Sequence, residues 1–371
     1  MRMNSFFSTN RTILFSCIQN NTTLLNLSGK GRLDTMIKQI ENLVELGKRL
    51  KTSEELEEII KTAQYKNPWF VESFVQYAID AVINEMLNEE KLNQWLNRYE
   101  LKKIDKTIGL IFAGNIPLVG LHDFLCCYVT GCNIKIKLSS KDDDLFWLIL
   151  KILSEIDSAI NSKVEITDKL HDFDAVIATG NNNSNRYFEF YFRNHPKILR
   201  KSRNSVAILH GNETAEDLQK LADDIFLYFG FGCRNVSKLY VPVGYQITQL
   251  FPVFEKKYKW LHEHNKFMNN YDYHRTILML NKTSHRANEF LMLIENASIA
   301  SSIATLNYEF WHDEKILATQ LRKDAERIQC IASKEPAHWD FPSSVYFGET
   351  QHPELWDYAD GVDTMEFLLK N

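Results

Sequence analysis

The chain has 371 residues, 44% of them hydrophobic and 25% charged, a composition that supports ordinary globular cores at a length sufficient for two domains. A formal net charge of −5 and a pI near 6.1 exclude the basic surplus with which nucleic-acid binders neutralise phosphates, so no nucleic-acid partner is expected. No apolar run approaches the roughly 18 residues that a membrane span requires. The six cysteines, Cys17, Cys126, Cys127, Cys132, Cys233 and Cys330, have neither zinc-type pairing with histidines nor the density of a secreted disulfide scaffold, and a reducing cytoplasm is the expected setting.

Residues 1–31 mix apolar residues with Arg2, Asn10, Arg11 and the polar run Gln19–Thr23, and no small-residue cleavage site follows a clean apolar core. They do not read as a signal peptide but as a tail, disordered or else preceding a true start at Met36. From Leu33 the apolar residues Leu33, Ile37, Ile40 and Val44 recur at helical spacing. Asn67-Pro68 predicts a helix start, with Phe70, Phe74, Ala78, Val82 and Met86 on its apolar face. These helices over 32–100 need no role beyond packing.

After Leu101 short β-like runs alternate with helices, the pattern of a parallel sheet with right-handed crossovers. Thr107–Ala113 predicts a strand ending at Gly114-Asn115-Ile116-Pro117, and Asn133–Leu138 a second, ending at Ser139-Ser140-Lys141. Val164–Ile166 and Ala175–Ala178 follow, the latter running into Thr179-Gly180 and an aromatic helix, Tyr187–Phe192. Ser205–Leu209 closes a predicted five-stranded layer. The expected class is α/β, a doubly wound sheet with ligands at the carboxyl ends of its strands.

A helix-like run, Leu218–Tyr228, leads to Phe229-Gly230-Phe231-Gly232-Cys233-Arg234-Asn235 and an apolar strand, Leu239–Val241. The glycine-x-glycine there lacks a third glycine and follows a helix rather than a strand, so it is not a dinucleotide loop. Glycines free the backbone to approach a ligand, and a thiol at such a turn can sit beside N–H groups that stabilise a thiolate. Cys233 is therefore the candidate nucleophile, against the ordinary role of cysteine as a small buried hydrophobe. His274-Arg275, His285-Arg286 and Trp311-His312-Asp313-Glu314 read as surface clusters without metal-ligand spacing. Pro336–Pro353, rich in proline and aromatics, predicts a loop-dominated return toward the cysteine.

Gly114-Asn115-Ile116-Pro117, Ile136-Lys137-Leu138-Ser139-Ser140, Ala178-Thr179-Gly180-Asn181 and Gly232-Cys233-Arg234 stand in the order found in the aldehyde dehydrogenase superfamily. More closely, the chain resembles the acyl-CoA reductases of the bacterial luminescence (LuxC-like) type. That likeness is carried by Gly114–Phe124, Arg203–Ala207, Gly232–Lys238 and the tail Asp357–Thr364, and spans roughly residues 100–368.

The resemblance implies an aldehyde-dehydrogenase-like fold, with an NAD(P)-binding domain over 101–209, a catalytic domain over 210–340 and a return segment over 341–371. It implies that Cys233 attacks the thioester of an acyl-CoA substrate, fatty in the favoured case, and that Asn115 helps to stabilise the oxyanion. Lys137 then faces the adenosine ribose, Ser139 with Lys141 is within reach of a 2′-phosphate, and Thr179 and Gly180 face the pyrophosphate and nicotinamide half. The implied cofactor is NADPH, with NADH as the alternative. A homo-oligomer is allowed by the resemblance and not required. Aldehyde-oxidising members carry a glutamate that activates water, whereas Arg200–Ser205 here has no carboxylate. Its absence favours reduction of an acyl group over oxidation of an aldehyde. An acyl phosphate or acyl-protein thioester as donor is the same-class alternative, and a silent nucleotide- or acyl-CoA-binding scaffold the different-class one. Retention of both Cys233 and Asn115 speaks against the scaffold.

Overall fold

The computed structural model describes residues 27–180 and 182–370. The expected tail over 1–31 lies outside the described residues as far as residue 26, as does most of what precedes Met36, while from Leu27 to Leu50 the chain is one helix. Three further helices follow, Glu54–Lys66, Glu72–Ala81 and Glu89–Leu96, the middle one continuing as a π-helical turn over Val82–Met86. The helix expected at Pro68 begins four residues later. Asn67 closes a turn instead: its side chain accepts from the Trp69 N–H at 3.2 Å and its carbonyl from the Phe70 N–H at 2.8 Å.

Among the described residues, twelve strands form two sheets. β1 (Thr107–Ile111), β2 (Asn133–Lys137), β3 (Val164–Ile166), β4 (Ala175–Thr179) and β5 (Lys197–Arg200) make the first, all parallel, in the order β3-β2-β1-β4-β5. β1 and β4 are its central strands, and their near-continuous apolar sequences follow from burial on both faces. The second sheet holds β6 (Asn204–Ile208), β7 (Val236–Pro242), β8 (Arg286–Ala287), β9 (Met292–Glu295), β10 (Thr305–Trp311), β11 (Ile328–Ser333) and β12 (Ser344–Val345). Its order is β12-β11-β6-β7-β10-β9-β8, parallel except for the short β8 at one edge.

The strand expected to close the first sheet, at Ser205–Leu209, therefore belongs to the second. The fifth strand of the first sheet is Lys197–Arg200, and the chain changes sheets within Lys201–Arg203. The physical reason is pairing: β6 finds β7 and β11 on its two sides, with Ala207 and Ile208 fully buried between them.

The amino-terminal helices pack with the first sheet into one core that also takes in Leu355, Tyr358, Met365 and Leu368 from the far end of the chain. Trp95, fully buried, donates from Nε1 to the Tyr358 hydroxyl at 2.7 Å, tying the two ends together. Phe74 and Ala78 pack instead into the core of the second sheet, so one amino-terminal helix spans both halves. No helix among the described residues is long and apolar enough to cross a membrane.

Candidate active site

In the first sheet β1 is flanked by β2 on one side and β4 on the other, so the loops after β1 and β4 leave in opposite directions and open a crevice at the carboxyl ends of the strands. The amino ends of β6, β7 and β10 face the same space from the second sheet. Together they enclose a cleft of about 920 Å³. Asn115, Ser139, Lys141, Thr179 and Gly180 line it from one side and Cys233 from the other. Lys137 stands apart: it is exposed at the end of β2, outside the cleft lining, and its carbonyl accepts from the Phe112 N–H at 3.0 Å.

Cys233 sits between a helix, Ala215–Phe226, and β7. The turn that joins them is held in an unusual backbone. Tyr228 and Phe229 both have positive φ, 53° and 55°, ahead of Gly230 at 78°, a conformation that non-glycine residues adopt only when packing over-determines it. Here packing does so: Phe229 lies edge-on to Trp69 and to Phe74, each ring centroid 5.0 Å away, and Phe231 meets Trp69 at 4.8 Å.

Asn235, almost fully buried, completes the turn. Its Nδ2 donates to the carbonyls of Asp224 (3.1 Å) and Leu227 (2.9 Å), and its Oδ1 accepts from the Gly232 N–H at 2.8 Å. A Cβ on Gly232 would lie 2.9 Å from that Oδ1, so the contact requires glycine. Asp224 in turn accepts from the N–H groups of Gly348 and Thr350 and from the Thr350 hydroxyl. The Pro336–Pro353 return is thereby fastened behind the cysteine turn.

Burial pushes the Cys233 thiol up from its ordinary value. The Arg234 and Arg200 guanidiniums and the cysteine's own backbone N–H pull the other way, while Asp360 adds to the rise. The expectation that the glycine turn stabilises a thiolate is not met: desolvation outweighs the donors, and the thiol form is favoured. The Ser205 hydroxyl holds the Cys233 carbonyl at 3.0 Å and lies 3.0 Å from the buried Cys330 sulfur.

Across the cleft, Asn115 donates from Nδ2 to the Phe231 carbonyl at 3.1 Å, linking the loop after β1 to the cysteine turn. Gly114 packs the loops after β1 and β2 against each other, since a Cβ there would fall 2.3 Å from Ser139 Oγ. Leu118 in the same loop has a φ of 56° and donates its N–H to the buried Asp142 at 2.6 Å. Burial, with Asp143 and Asp144 adding to it, raises Asp142 to about 8.

Several residues on this site were not singled out by the sequence. Asp123 and Asp360 bring carboxylates to the cleft, and the whole crossover segment Arg200–Asn204 lines it. The stretch itself lacks a carboxylate, yet one reaches it from the tail: Asp360 pairs with Arg203 at 3.2 Å. His274, read as surface, also lines the cleft, and burial lowers its pKa. His122, in the helix after the Gly114 loop, lies outside the cleft lining; it donates from Nε2 to the Leu355 carbonyl at 2.9 Å. No group of three or more metal-ligating side chains gathers among the described residues.

No family model matches the chain, and no curated protein does. Solved structures do. Aldehyde dehydrogenase 21 from Physcomitrella patens, in complex with the reaction product succinate, superposes with a TM-score of 0.60 at 13% identity over 91% of this chain and 84% of that one. A NAD-dependent benzaldehyde dehydrogenase from Corynebacterium glutamicum gives 0.63 at 11% identity over 87% and 85%. Betaine aldehyde dehydrogenase from Staphylococcus aureus, in complex with NAD+, gives 0.61 at 12% identity over 82% and 72%. Two parallel-stranded sheets meeting at one cleft are thus an aldehyde-dehydrogenase-like α/β fold.

Proposed function

We propose that the protein reduces an acyl-CoA to the aldehyde and free coenzyme A, using a reduced nicotinamide cofactor, NADPH ahead of NADH, through a thioester on Cys233. The observation that carries this reading is the meeting of Cys233 and Asn115 in one cleft whose other end is built from the strand ends carrying Ser139, Thr179 and Gly180. The close loop packing at Gly114 and the start of the helix Asn182–Tyr191 directly after Gly180 fit a nucleotide phosphate. A reduced nicotinamide bound there supplies the hydride.

The cysteine sulfur attacks the acyl carbonyl, and coenzyme A leaves as its thiolate, which takes the cysteine's proton. Asn115 carries two amide N–H groups, of which one holds Phe231, so the second is the donor for the oxyanion. Once hydride has reached the acyl carbon, the tetrahedral oxyanion collapses, the C–S bond breaks toward sulfur, and aldehyde departs. Phe229, Phe231, Ile303 and Leu291 give the cleft an apolar stretch suited to a hydrocarbon acyl chain. Each added methylene buried there strengthens binding by about 0.8 kcal/mol.

The test is to incubate the protein with an acyl-CoA and no cofactor. The Cys233 peptide gains the acyl mass, and Cys233→Ala abolishes both adduct and reductase activity. An adduct confined to Cys126, Cys127 or Cys132, or an active Cys233→Ala, overturns the assignment. A chain-length series with NADPH and NADH, following cofactor oxidation and aldehyde, then ranks substrate and cofactor.

One observation favours a second reading, oxidation of an aldehyde to the acid. It is the carboxylate of Asp360 in the cleft wall, where a water base would serve. Aldehyde with oxidised cofactor, in the presence and absence of coenzyme A, separates the two. Rapid multiple turnover to free acid without the thiol makes the protein an aldehyde dehydrogenase in activity; dependence on the thiol supports the reductase.

A further inference from the structure

The segment Lys201–Arg203, by which the chain passes from one sheet to the other, forms a wall of the cleft. Its fastening comes from far along the chain. Asp360 accepts from the Lys201 N–H through Oδ2 and from Arg203 Nε through Oδ1, both at 3.2 Å, and donates its own N–H to Gln329 Oε1 at 3.1 Å. Its φ is 60°, and its side chain is only 10% exposed, against 21% for Arg203. A left-handed aspartate anchored through both carboxylate oxygens and its backbone is a placed group. The other carboxylate on the cleft, Asp123, is committed elsewhere, accepting from Arg200 at 2.8 Å and from Thr364 at 3.2 Å.

We propose that the Arg203–Asp360 pair decides the fate of the acyl-cysteine, by occupying the one cleft carboxylate that would otherwise take a proton from an attacking water. This rests on the reading of Cys233 as the acyl carrier. In the hydrolysis so suppressed, water oxygen bonds to the acyl carbon and its proton passes to Asp360. The C–S bond breaks, its electron pair returns to sulfur, and sulfur takes the proton back from Asp360. The products are the free acid and the Cys233 thiol, with no change of oxidation state. With Arg203 on Oδ1 and the Lys201 N–H on Oδ2, both oxygens are engaged and the thioester is kept for hydride. Arg203 and Asp360 are in this sense positioning residues, and the ratio of acid to aldehyde is a readout that a merely structural role would not move.

The experiment compares the wild type with Arg203→Met, Arg203→Lys, Asp360→Asn and the double variant Arg203→Met with Asp360→Asn. Each is loaded with acyl-CoA, and two quantities are followed: decay of the Cys233 adduct to free acid without cofactor, and the acid-to-aldehyde ratio with reduced cofactor. Arg203→Met is expected to speed decay about tenfold or more, general-base assistance being worth on the order of 10²-fold or above. Arg203→Lys, which keeps a cation on Asp360, stays near the wild type. Asp360→Asn does not exceed it, and the double variant returns to it. Unchanged decay in Arg203→Met, or fast decay persisting in the double variant, overturns the proposal. If Arg203→Met loses its near-ultraviolet circular dichroism, Arg203→Gln takes its place under the same two criteria. A wild type that forms no Cys233 adduct defeats the acyl-carrier reading instead, whereas an adduct with unaltered partition defeats this inference alone.

Discussion

Two loops meet across the cleft, and they are built on opposite plans. The loop after β1, carrying Asn115, and the turn before β7, carrying Cys233, each force apolar side chains into the left-handed region: Leu118 in the first, Tyr228 and Phe229 in the second. The Asn115 loop is exposed at its tip and depends on one buried carboxyl, Asp142, as acceptor for the Leu118 N–H. The Cys233 turn depends on a neutral amide, Asn235, with three hydrogen bonds, and on a cluster of aromatic rings. The Asn115 loop is held by a carboxyl that titrates and the Cys233 turn by an amide and rings that do not, although the return segment behind that turn hangs on Asp224, which burial raises to about 7. The Asn115 loop therefore loosens as the solution becomes alkaline, while the cysteine turn keeps its amide and ring contacts.

The comparison breaks most completely at Asn235. Asn235→Ala orphans two buried carbonyls and the Gly232 N–H, each worth about 1–3 kcal/mol, so the loss in stability is expected to be about 4 kcal/mol. Denaturant titration measures it, and a loss below about 1 kcal/mol would mean that the rings alone hold the turn. Next is Asn115→Ala, expected to raise the acyl-transfer barrier by about 3 kcal/mol with cofactor affinity unchanged, since the amide is needed only as charge develops on oxygen. Single-turnover acylation and cofactor titration separate the two; an equal loss of cofactor binding would place Asn115 in the nucleotide site instead.

The comparison is also sharpened through pH. Burial raises the Asp142 carboxyl to about 8 from an ordinary 3.8, so its contribution to stability is complete below about pH 4 and is lost as pH rises through 8. Over that window the slope reaches at most about 1.4 kcal/mol per pH unit. Asp142→Asn keeps an acceptor for Leu118 and removes the titration. Its melting temperature relative to that of the wild type should rise steadily between pH 5 and pH 8.5, and parallel curves for the two proteins would refute the assignment.

The first sheet was legible because β1, β2, β3 and β4 are short β-like runs closed by glycine, serine or, for β3, Thr167-Asp168, and each lies within two residues of its expected place. β5 was not: Lys-Ile-Leu-Arg is four residues long, ends in charge, and becomes a strand only because β4 pairs with it. The edge of the second sheet was equally silent, since β8 and β12 have two residues each. Within the site, the glycine turn marked Cys233 only as a candidate, and it was the resemblance to the aldehyde dehydrogenase superfamily that picked out Cys233 and Asn115 together. Asn235 gave no such signal, because a buried amide and a solvated one read alike in a single sequence. Asp360 was hidden by distance, 157 positions beyond the arginine with which it pairs. Beyond the likeness of the tail as a whole, Asp360-Gly361, a pair fit for a left-handed turn, was its local trace.

The tail segment 357–364 has a further consequence, in the order of events during synthesis. Asp357 pairs with Arg234 at 2.7 Å, Asp360 with Arg203, and Thr364 and the Ala359 carbonyl accept from Arg200. Arg200 and Arg234 are both buried, in positions where an unpaired guanidinium is costly. Asp123 precedes Arg200 in the chain, but the other partners of both arginines leave the ribosome more than a hundred residues later. Until then Arg200 has Asp123 alone and Arg234 lacks its carboxylate. A ribosome-bound chain lacking residues 357–364 should thus hold two folded halves and no working site.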